Sequence, residues 1–335
     1  MILIDSTFVN SLGGINILYE ILNSIPVKSK KKFVLFIDHR QKESFSKANT
    51  YECYFTRGLV DRQVKFFKIR QRVKVVFSLG NVPLIMLRKR YQLTYNMQYF
   101  LFSQKELSNL NALKWNIKSQ LIKLFFKISN SDVAAQTESM KDLFIEKFKI
   151  NREKVFIYPI FKRINSYPVK INTNIFFYPS SGEKYKKVDF LINAFKLYNE
   201  NFPDSKLYLT IDKKYKSLNR LIDTINEKRK IIFNKGTISH NETIDFMKKG
   251  PIIVHTSSIE SFGLVLLESS QLNNVIIAPK LKYVFDVCSP SYTYTLNKMQ
   301  EFIECLKIVN EDKLIRSKST LVSTSNNLIN YLLSK

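Results

Sequence analysis

Two acidic residues, Glu260 and Glu268, stand eight positions apart in the segment PIIVHTSSIESFGLVLLESSQLNNVIIAPKLKYVF, residues 251–285. Ile252–Val254 reads as a buried strand, and a Ser-rich loop follows it. Glu260 closes that loop, Gly263 lies just beyond, and the apolar run after it predicts a helix carrying Glu268. At ~1.5 Å of rise per residue, about 12 Å of helix axis separates the two carboxylates. Acids flanking a helix N-terminus can hold the two ends of a long polar ligand, while its negative middle sits on the first-turn N–H groups. A nucleotide diphosphate sugar has that form, with hydroxyls at both ends and phosphates between. A solvent-exposed acid pair on an ordinary amphipathic helix is the alternative, and the apolar FGLVLL argues against it.

The segment resembles the Glu-x7-Glu motif of retaining glycosyltransferases with the GT-B fold. That family 4-like group includes sucrose synthases and many bacterial polysaccharide enzymes, O-antigen and capsule types among them. Ser257-Ser258 stands where relatives have a Pro-Ser or Ser-Ser pair, Glu260-Ser261-Phe262-Gly263-Leu264 matches E-S/G-F-G-L, and Glu268 falls at the second acid. Asn273-Asn274 replaces the Gly that relatives have before the next strand, and Asn tolerates the left-handed backbone of such a turn. The resemblance implies that Glu260 is catalytic and holds the donor sugar's hydroxyls, and that Glu268 holds the ribose. It implies that Ser258, Ser261, Phe262, Gly263 and Leu264 line the donor.

Other motifs extend the resemblance. Gly13-Gly14 follows the first strand and opens the first helix, where bare backbone lets N–H groups approach an anion. A Gly pair also suits a simple turn; in the family this loop meets the donor phosphates or the acceptor. Asn96-Met97-Gln98-Tyr99-Phe100 is similar to an N-M-x-P-F segment of O-antigen-type members, with Tyr99 in place of Pro. Asn96 is thereby a candidate catalytic residue, hydrogen-bonding the sugar or the attacking hydroxyl, although NMQYF also reads as a loop closed by buried aromatics. Relatives have a His in this neighbourhood; here His39, His240 and His255 all lie elsewhere. VAAQTESMKDLF, residues 133–144, matches a family strand-to-helix pattern, with Met140 as core. In FFYPSSGEKYKKVDFLINAF, Lys186 aligns with the family lysine that holds the donor diphosphate, with Lys187 beside it. Ser180 replaces the family arginine, so one phosphate contact is missing or falls to Lys184 or Lys187. FNKGTISH, residues 233–240, resembles a turn whose backbone meets the nucleobase, which places Ile238 against the base.

These residues need elements to position them. Apolar runs alternate with helical patterns: strands at 1–5, 33–38, 74–79, 92–96, 133–136 and 155–158, helices at 14–24, 115–129 and 137–148. After a loop at 160–173 the alternation restarts with strands at 174–178, 206–211, 231–233, 252–255 and 275–277. Helices fall at 187–201, 216–228, 241–248, 262–272, 298–310 and 326–334. This order predicts an α/β protein with two Rossmann-like domains, residues 1–165 on the acceptor side and 166–335 binding the nucleotide sugar. The GT-B resemblance implies parallel sheets facing a central cleft, with the last helix packing back on the first domain.

The chain has 335 residues, 45% of them hydrophobic, which suffices for two cores. No run reaches the roughly 20 apolar residues of a membrane helix. The N-terminus reads directly as a strand, without a secretory signal, and three scattered cysteines give neither a metal site nor a disulfide framework. A cytoplasmic protein is the expectation. Residues 1–165 hold 29 Lys+Arg against 12 Asp+Glu, a net +17 of the total +25. Such a surface attracts phosphates, whether of nucleic acid, anionic lipid or a lipid diphosphate, although a Lys-rich proteome also raises the total. The basic stretches are 28–32, 62–74 and 88–90, and RQVKFFKIRQRVKVVF mixes Phe66, Phe67, Ile69 and Val73 with cations, as a face on the inner surface of the cytoplasmic membrane would.

The expected function is transfer of a sugar from a UDP- or GDP-linked donor to a lipid-linked or saccharide acceptor in bacterial surface polysaccharide synthesis. The resemblance implies retention and no metal, no Asp-x-Asp occurs in the chain, and the donor is a substrate, so no cofactor is expected. No specific nucleic acid is expected as a partner. A nucleotide-sugar epimerase of the same fold, a glycosidase, and a non-enzymatic basic nucleic-acid binder are the rival readings. The carboxylate pair of a glycosidase would stand about 5–10 Å apart. A nucleic-acid binder would lose affinity steeply with salt.

Overall fold

The computed structural model describes residues 1–46, 50–85, 90–103, 109–165, 169–310 and 314–335. It divides into two compact units, residues 1–162 with 322–335, and residues 163–321. The first unit runs β1 (Ile2–Ser6), α1 (Leu12–Asn23), β2 (Phe33–Asp38), α2 (Lys42–Ser46), β3 (Glu52–Thr56), α3 (Leu59–Ile69), β4 (Val75–Leu79) and β5 (Tyr91–Tyr95). It continues with α4 (Asn109–Ser129), β6 (Asp132–Ala135), α5 (Glu138–Leu143) and β7 (Val155–Ile157). The strands form a parallel sheet in the order β3-β2-β1-β4-β5-β6-β7. Strands buried on both faces read as continuous apolar runs, as in ILI and FVLFI. Alternate residues point to opposite faces: Ile4, Leu35 and Phe77 share a core with Leu18 and Ile21 of α1, while Leu3, Val34 and Val76 meet Phe66 and Ile69 of α3. Val133 and Ala135 meet Ile122 and Phe126 of α4.

The second unit begins with β8 (Asn172–Tyr178), α6 (Val188–Asn199), β9 (Lys206–Leu209), α7 (Lys216–Asn226), β10 (Ile232–Asn234), α8 (His240–Met247) and β11 (Pro251–Val254). There follow α9 (Leu264–Gln271), β12 (Ile276–Pro279), α10 (Lys282–Val287), β13 (Cys288–Ser289), β14 (Tyr292–Tyr294), α11 (Met299–Ile308) and β15 (Lys318–Ser319). Its parallel sheet has the order β10-β9-β8-β11-β12-β14, and β13 pairs with β15 antiparallel. Helix α6 shows why the pattern folds as it does: Val188, Leu191, Ile192 and Phe195 recur at helical spacing and are all buried. Each such side chain contributes about 1.5–3 kcal/mol. The chain then returns to the first unit, where Leu328, Ile329 and Leu332 of α12 (Ser325–Ser334) join the core of α1.

Three differences from the sequence reading have physical causes. Residues 51–69, assigned to no element from the sequence, form the edge strand β3 and helix α3; β3 is largely half-exposed, so it lacks a long apolar run. The segment expected as one helix over 137–148 is α5 followed by a π turn, Phe144–Phe148, ending at left-handed Lys149. Of the apolar residues expected on a membrane face at 62–77, Phe66, Ile69 and Val73 are core and Phe67 is half-buried, and buried Arg62 pairs with Asp5 at 3.0 Å. Of the basic stretch 88–90, Arg88 and Lys89 lie outside the described residues, and Arg90 donates to the carbonyls of Val73 and Arg70. Part of the interdomain loop at 160–173, residues 166–168, also lies outside them. Asn273 adopts φ 55°, the left-handed turn expected before β12.

Candidate active site

Strand order reverses between β8 and β11 in the second unit, and loops leaving the carboxyl ends at such a point form the usual ligand crevice of an open parallel sheet. The loop after β8 carries Lys186, and the loop after β11 carries Glu260. They meet there, with Lys186 Nζ 2.5 Å from Glu260 Oε1. Backbone bonds tie the two loops together: Ser258 N–H donates to the Tyr185 carbonyl at 2.8 Å, and Thr256 Oγ1 to the Lys186 carbonyl at 2.8 Å. The Ser258 hydroxyl donates to the same Tyr185 carbonyl. Lys187 sits in the left-handed region at φ 52° and starts α6, its carbonyl accepting from Leu191. Burial opposes a charge on Lys186, but the Glu260 carboxylate and the phenols of Tyr178 and Tyr185 raise its pKa above the ordinary lysine value. Lys186 is therefore a cation already facing a carboxylate.

Beneath this pair lies a buried chain of polar groups. Tyr283 Oη donates to the Ser257 carbonyl at 2.6 Å, which uses its one proton. His255 Nε2, 3.1 Å from the same oxygen, must then be the donor, which in the neutral ring leaves Nδ1 bare. Nδ1 has no partner among the described residues. Burial lowers the His255 pKa to about 4, although Glu260, 3.9 Å away, pulls it upward.

Gly263 occupies the left-handed region at φ 74° and starts α9, with no side chain capping the helix. Phe262 is buried, and Ser261 and Leu264 are half-buried beside it. Two turns on, Glu268 is buried and its Oε1 accepts from His240 Nε2 at 2.6 Å. His240 opens α8, which begins with a full capping box between Ser239 and Glu242. The preceding turn holds half-buried Ile238 and is pinned by Asn234, whose Oδ1 accepts from Ile211 and Gly236. Ser180, which stands where an arginine was expected, is buried; its N–H donates to Thr210 Oγ1, and its carbonyl accepts from the same hydroxyl. Lys184 is exposed.

The remaining candidates belong to the first unit. Strand order reverses there between β1 and β4, and Gly13-Gly14 lie in the first turn of α1 after β1. Their backbones differ in need. A Cβ at Gly14 would stand 3.0 Å from Val9 Cγ1, whereas one at Gly13 would meet nothing within 4 Å. Ser11 caps the helix through the Gly14 N–H. Asn96, fully buried at the end of β5, uses its Oδ1 to accept from Gln98 N–H at 3.0 Å, and its Nδ2 has no partner among the described residues. The turn at NMQYF is thus partly built by Asn96 itself, with one donor left over.

The sequence singles out Lys186, Glu260 and Glu268, but not His240, which pairs with Glu268, or His255, 3.9 Å from Glu260. The signal for both was positional: His255 ends a strand in the middle of its sheet, and His240 follows an N-cap serine. Among the described residues no group of three or more His, Cys, Asp or Glu is placed to hold a metal ion, and no helix is long and apolar enough to cross a membrane.

Two parallel-sheet units with this strand arrangement define the GT-B fold. The chain is similar in structure to HepE from Anabaena in complex with UDP-glucose, at 15% identity and a TM-score of 0.67, covering 99% of this chain and 94% of that one. It is similar to sucrose-phosphate synthase from Thermosynechococcus elongatus at 14% identity and a TM-score of 0.67, covering 93% and 90%. It is also similar to WaaG, a glycosyltransferase involved in lipopolysaccharide biosynthesis, at 12% identity and a TM-score of 0.64, covering 100% and 96%. At such identities the likeness is one of fold. In sequence, residues 161–301, which span most of the second unit, match the family model of glycosyl transferases group 1. None of the curated proteins matches the chain by sequence.

Proposed function

We propose that the chain is a retaining, metal-independent glycosyltransferase. It takes a sugar from a UDP- or GDP-linked donor and passes it to a lipid-linked or saccharide acceptor of a bacterial surface polysaccharide. The observation that carries this reading is the Lys186–Glu260 pair at the switch point of the second sheet, with the uncapped start of α9 next to it in sequence. A diphosphate supplies the anion that Lys186 and the α9 N–H groups can share, and drawing Lys186 to phosphate leaves Glu260 to accept from sugar hydroxyls. Glu268, on the same helix, holds the ribose, and Ile238 lies against the base. In the first unit, Gly13 and Gly14 present bare backbone to a phosphate or to the acceptor, and Asn96 Nδ2 donates to the sugar or the attacking hydroxyl. The acceptor hydroxyl forms its bond to the anomeric carbon on the face from which the diphosphate leaves, and its proton passes to the departing phosphate oxygen. HepE in complex with UDP-glucose and WaaG of lipopolysaccharide synthesis lend the donor class and the pathway class support.

The test is a calorimetric panel of UDP, GDP and ADP on the full chain and on two variants. Glu268→Ala weakens nucleotide binding by about tenfold, and Glu260→Ala binds nucleotide within about twofold but loses most turnover with the matching sugar donor. Near-normal activity in both variants, or no nucleotide binding by wild type, sinks the assignment. Product analysis separates transfer from epimerisation.

A further inference from the structure

Helix α4 carries two apolar faces, and only one of them is used. Ser119, Ile122 and Phe126 are its buried residues, packed towards β6 and α5. Leu110, Leu113, Ile117, Leu121, Leu124 and Ile128 lie on the outside, each between 48% and 76% exposed. At ~100° per residue these six fall within an arc of about 80°, nearly opposite the buried face, and run for about 27 Å of helix. Scattered exposed aliphatics are ordinary on a protein surface, but a continuous stripe of six is not.

The margins say what covers the stripe. Lys114 and Lys118 flank it on one side and Lys127 on the other, all exposed. Residues 109–129 contain no Asp or Glu, although they include four lysines. Two copies packed stripe to stripe would bring these lysines together with no carboxylate on the helix to answer them, which opposes self-association. An anionic bilayer answers both features: acyl chains take the aliphatic stripe, and lipid phosphates take the lysines on either margin.

We propose that α4 is an in-plane docking helix for an anionic membrane surface. It would set the first unit against the bilayer through Leu110–Ile128. This inference does not depend on the nucleotide-sugar reading, and either can fail alone.

The experiment is flotation of the full chain with vesicles of phosphatidylcholine alone and of phosphatidylcholine mixed with phosphatidylglycerol. Wild type is compared with Ile117→Ser/Leu121→Ser and with Lys114→Glu/Lys118→Glu. Wild type floats with the mixed vesicles and hardly with the neutral ones, and each double variant loses at least about tenfold in partitioning. All four positions are exposed, so the melting temperature and nucleotide binding stay as in wild type. The proposal is overturned if wild type does not bind mixed vesicles, or if the Ile117/Leu121 variant binds as well as wild type. A wild-type dimer that the same variant converts to monomer, seen by light scattering, also overturns it, because the stripe then serves a second copy.

Discussion

At the scale of single residues, the site is organised by pairs that stand far apart in the chain. Lys186 and Glu260 meet across 74 positions, and His240 and Glu268 across 28. The spacing of Glu260 and Glu268 was legible because both sit on one strand–loop–helix segment, where sequence distance converts directly into geometry. The partners were not, since only the closing of a sheet brings the loop after β8 onto the loop after β11. Among the described residues, the side chain of buried Glu268 pairs with the half-exposed His240 at 2.6 Å. If Glu268 holds the ribose as proposed, His240 fixes the rotamer of that carboxylate as a positioning residue. His240→Leu is expected to weaken nucleotide binding about three- to tenfold, about 0.7–1.4 kcal/mol, with kcat changed less than about twofold. His240→Gln, which keeps a donor, recovers part of the loss. Calorimetry with the nucleotide that binds wild type checks this, and unchanged affinity in His240→Leu removes His240 from the site.

At the scale of elements, the fold was readable wherever strands are buried on both faces. Runs such as FVLFI in β2 and PIIV in β11 leave little choice but interior parallel strand. It was not readable at the margins of the sheets, where β3 and β14 are half-exposed and carry polar or aromatic residues. Helix α4 was legible as a helix but not as an element with a spare apolar face, because which side packs depends on the sheet beneath it. The start of α9 depends on a single backbone angle. Gly263 is left-handed at φ 74°, and a Cβ there would meet Leu266 at an unremarkable 3.4 Å, so the cost of adding one is in the backbone and not in the packing. Gly263→Ala should destabilise the protein by about 1–2 kcal/mol in urea unfolding. Relief of that strain tilts the first turn of α9 away from its present direction, so turnover falls more than the modest stability loss accounts for. A Gly263→Ala protein with wild-type turnover would show that the helix start does not hold the leaving phosphate.

At the scale of the whole molecule, the +25 charge leaves its mark on the surface, not on the cores. Among its described residues the first unit does bury one cation: Arg62, held by Asp5 and by the carbonyls of Val82 and Pro83, ties β1 to the loop after β4. In the second unit the buried titratable group of greatest consequence is His255, which is neutral in the fold because burial lowers its pKa from the ordinary 6.5 to about 4. The unfolded chain takes up a proton at this residue below pH 6.5, and the folded protein does so only near pH 4. Between those values the unfolded state binds more protons, so stability falls as pH falls. The stabilisation is complete above about pH 6.5 and lost progressively towards about pH 4, a total of about 3 kcal/mol from this residue. His255→Phe removes the titrating ring and its bare Nδ1, while Tyr283 keeps its bond to the Ser257 carbonyl. Urea unfolding of wild type and His255→Phe at pH 7 and pH 5 checks the sign: wild type loses about 2 kcal/mol more than the variant over that interval. Parallel losses in the two proteins would mean that His255 is protonated in the fold, and that the polar chain under Glu260 is charged.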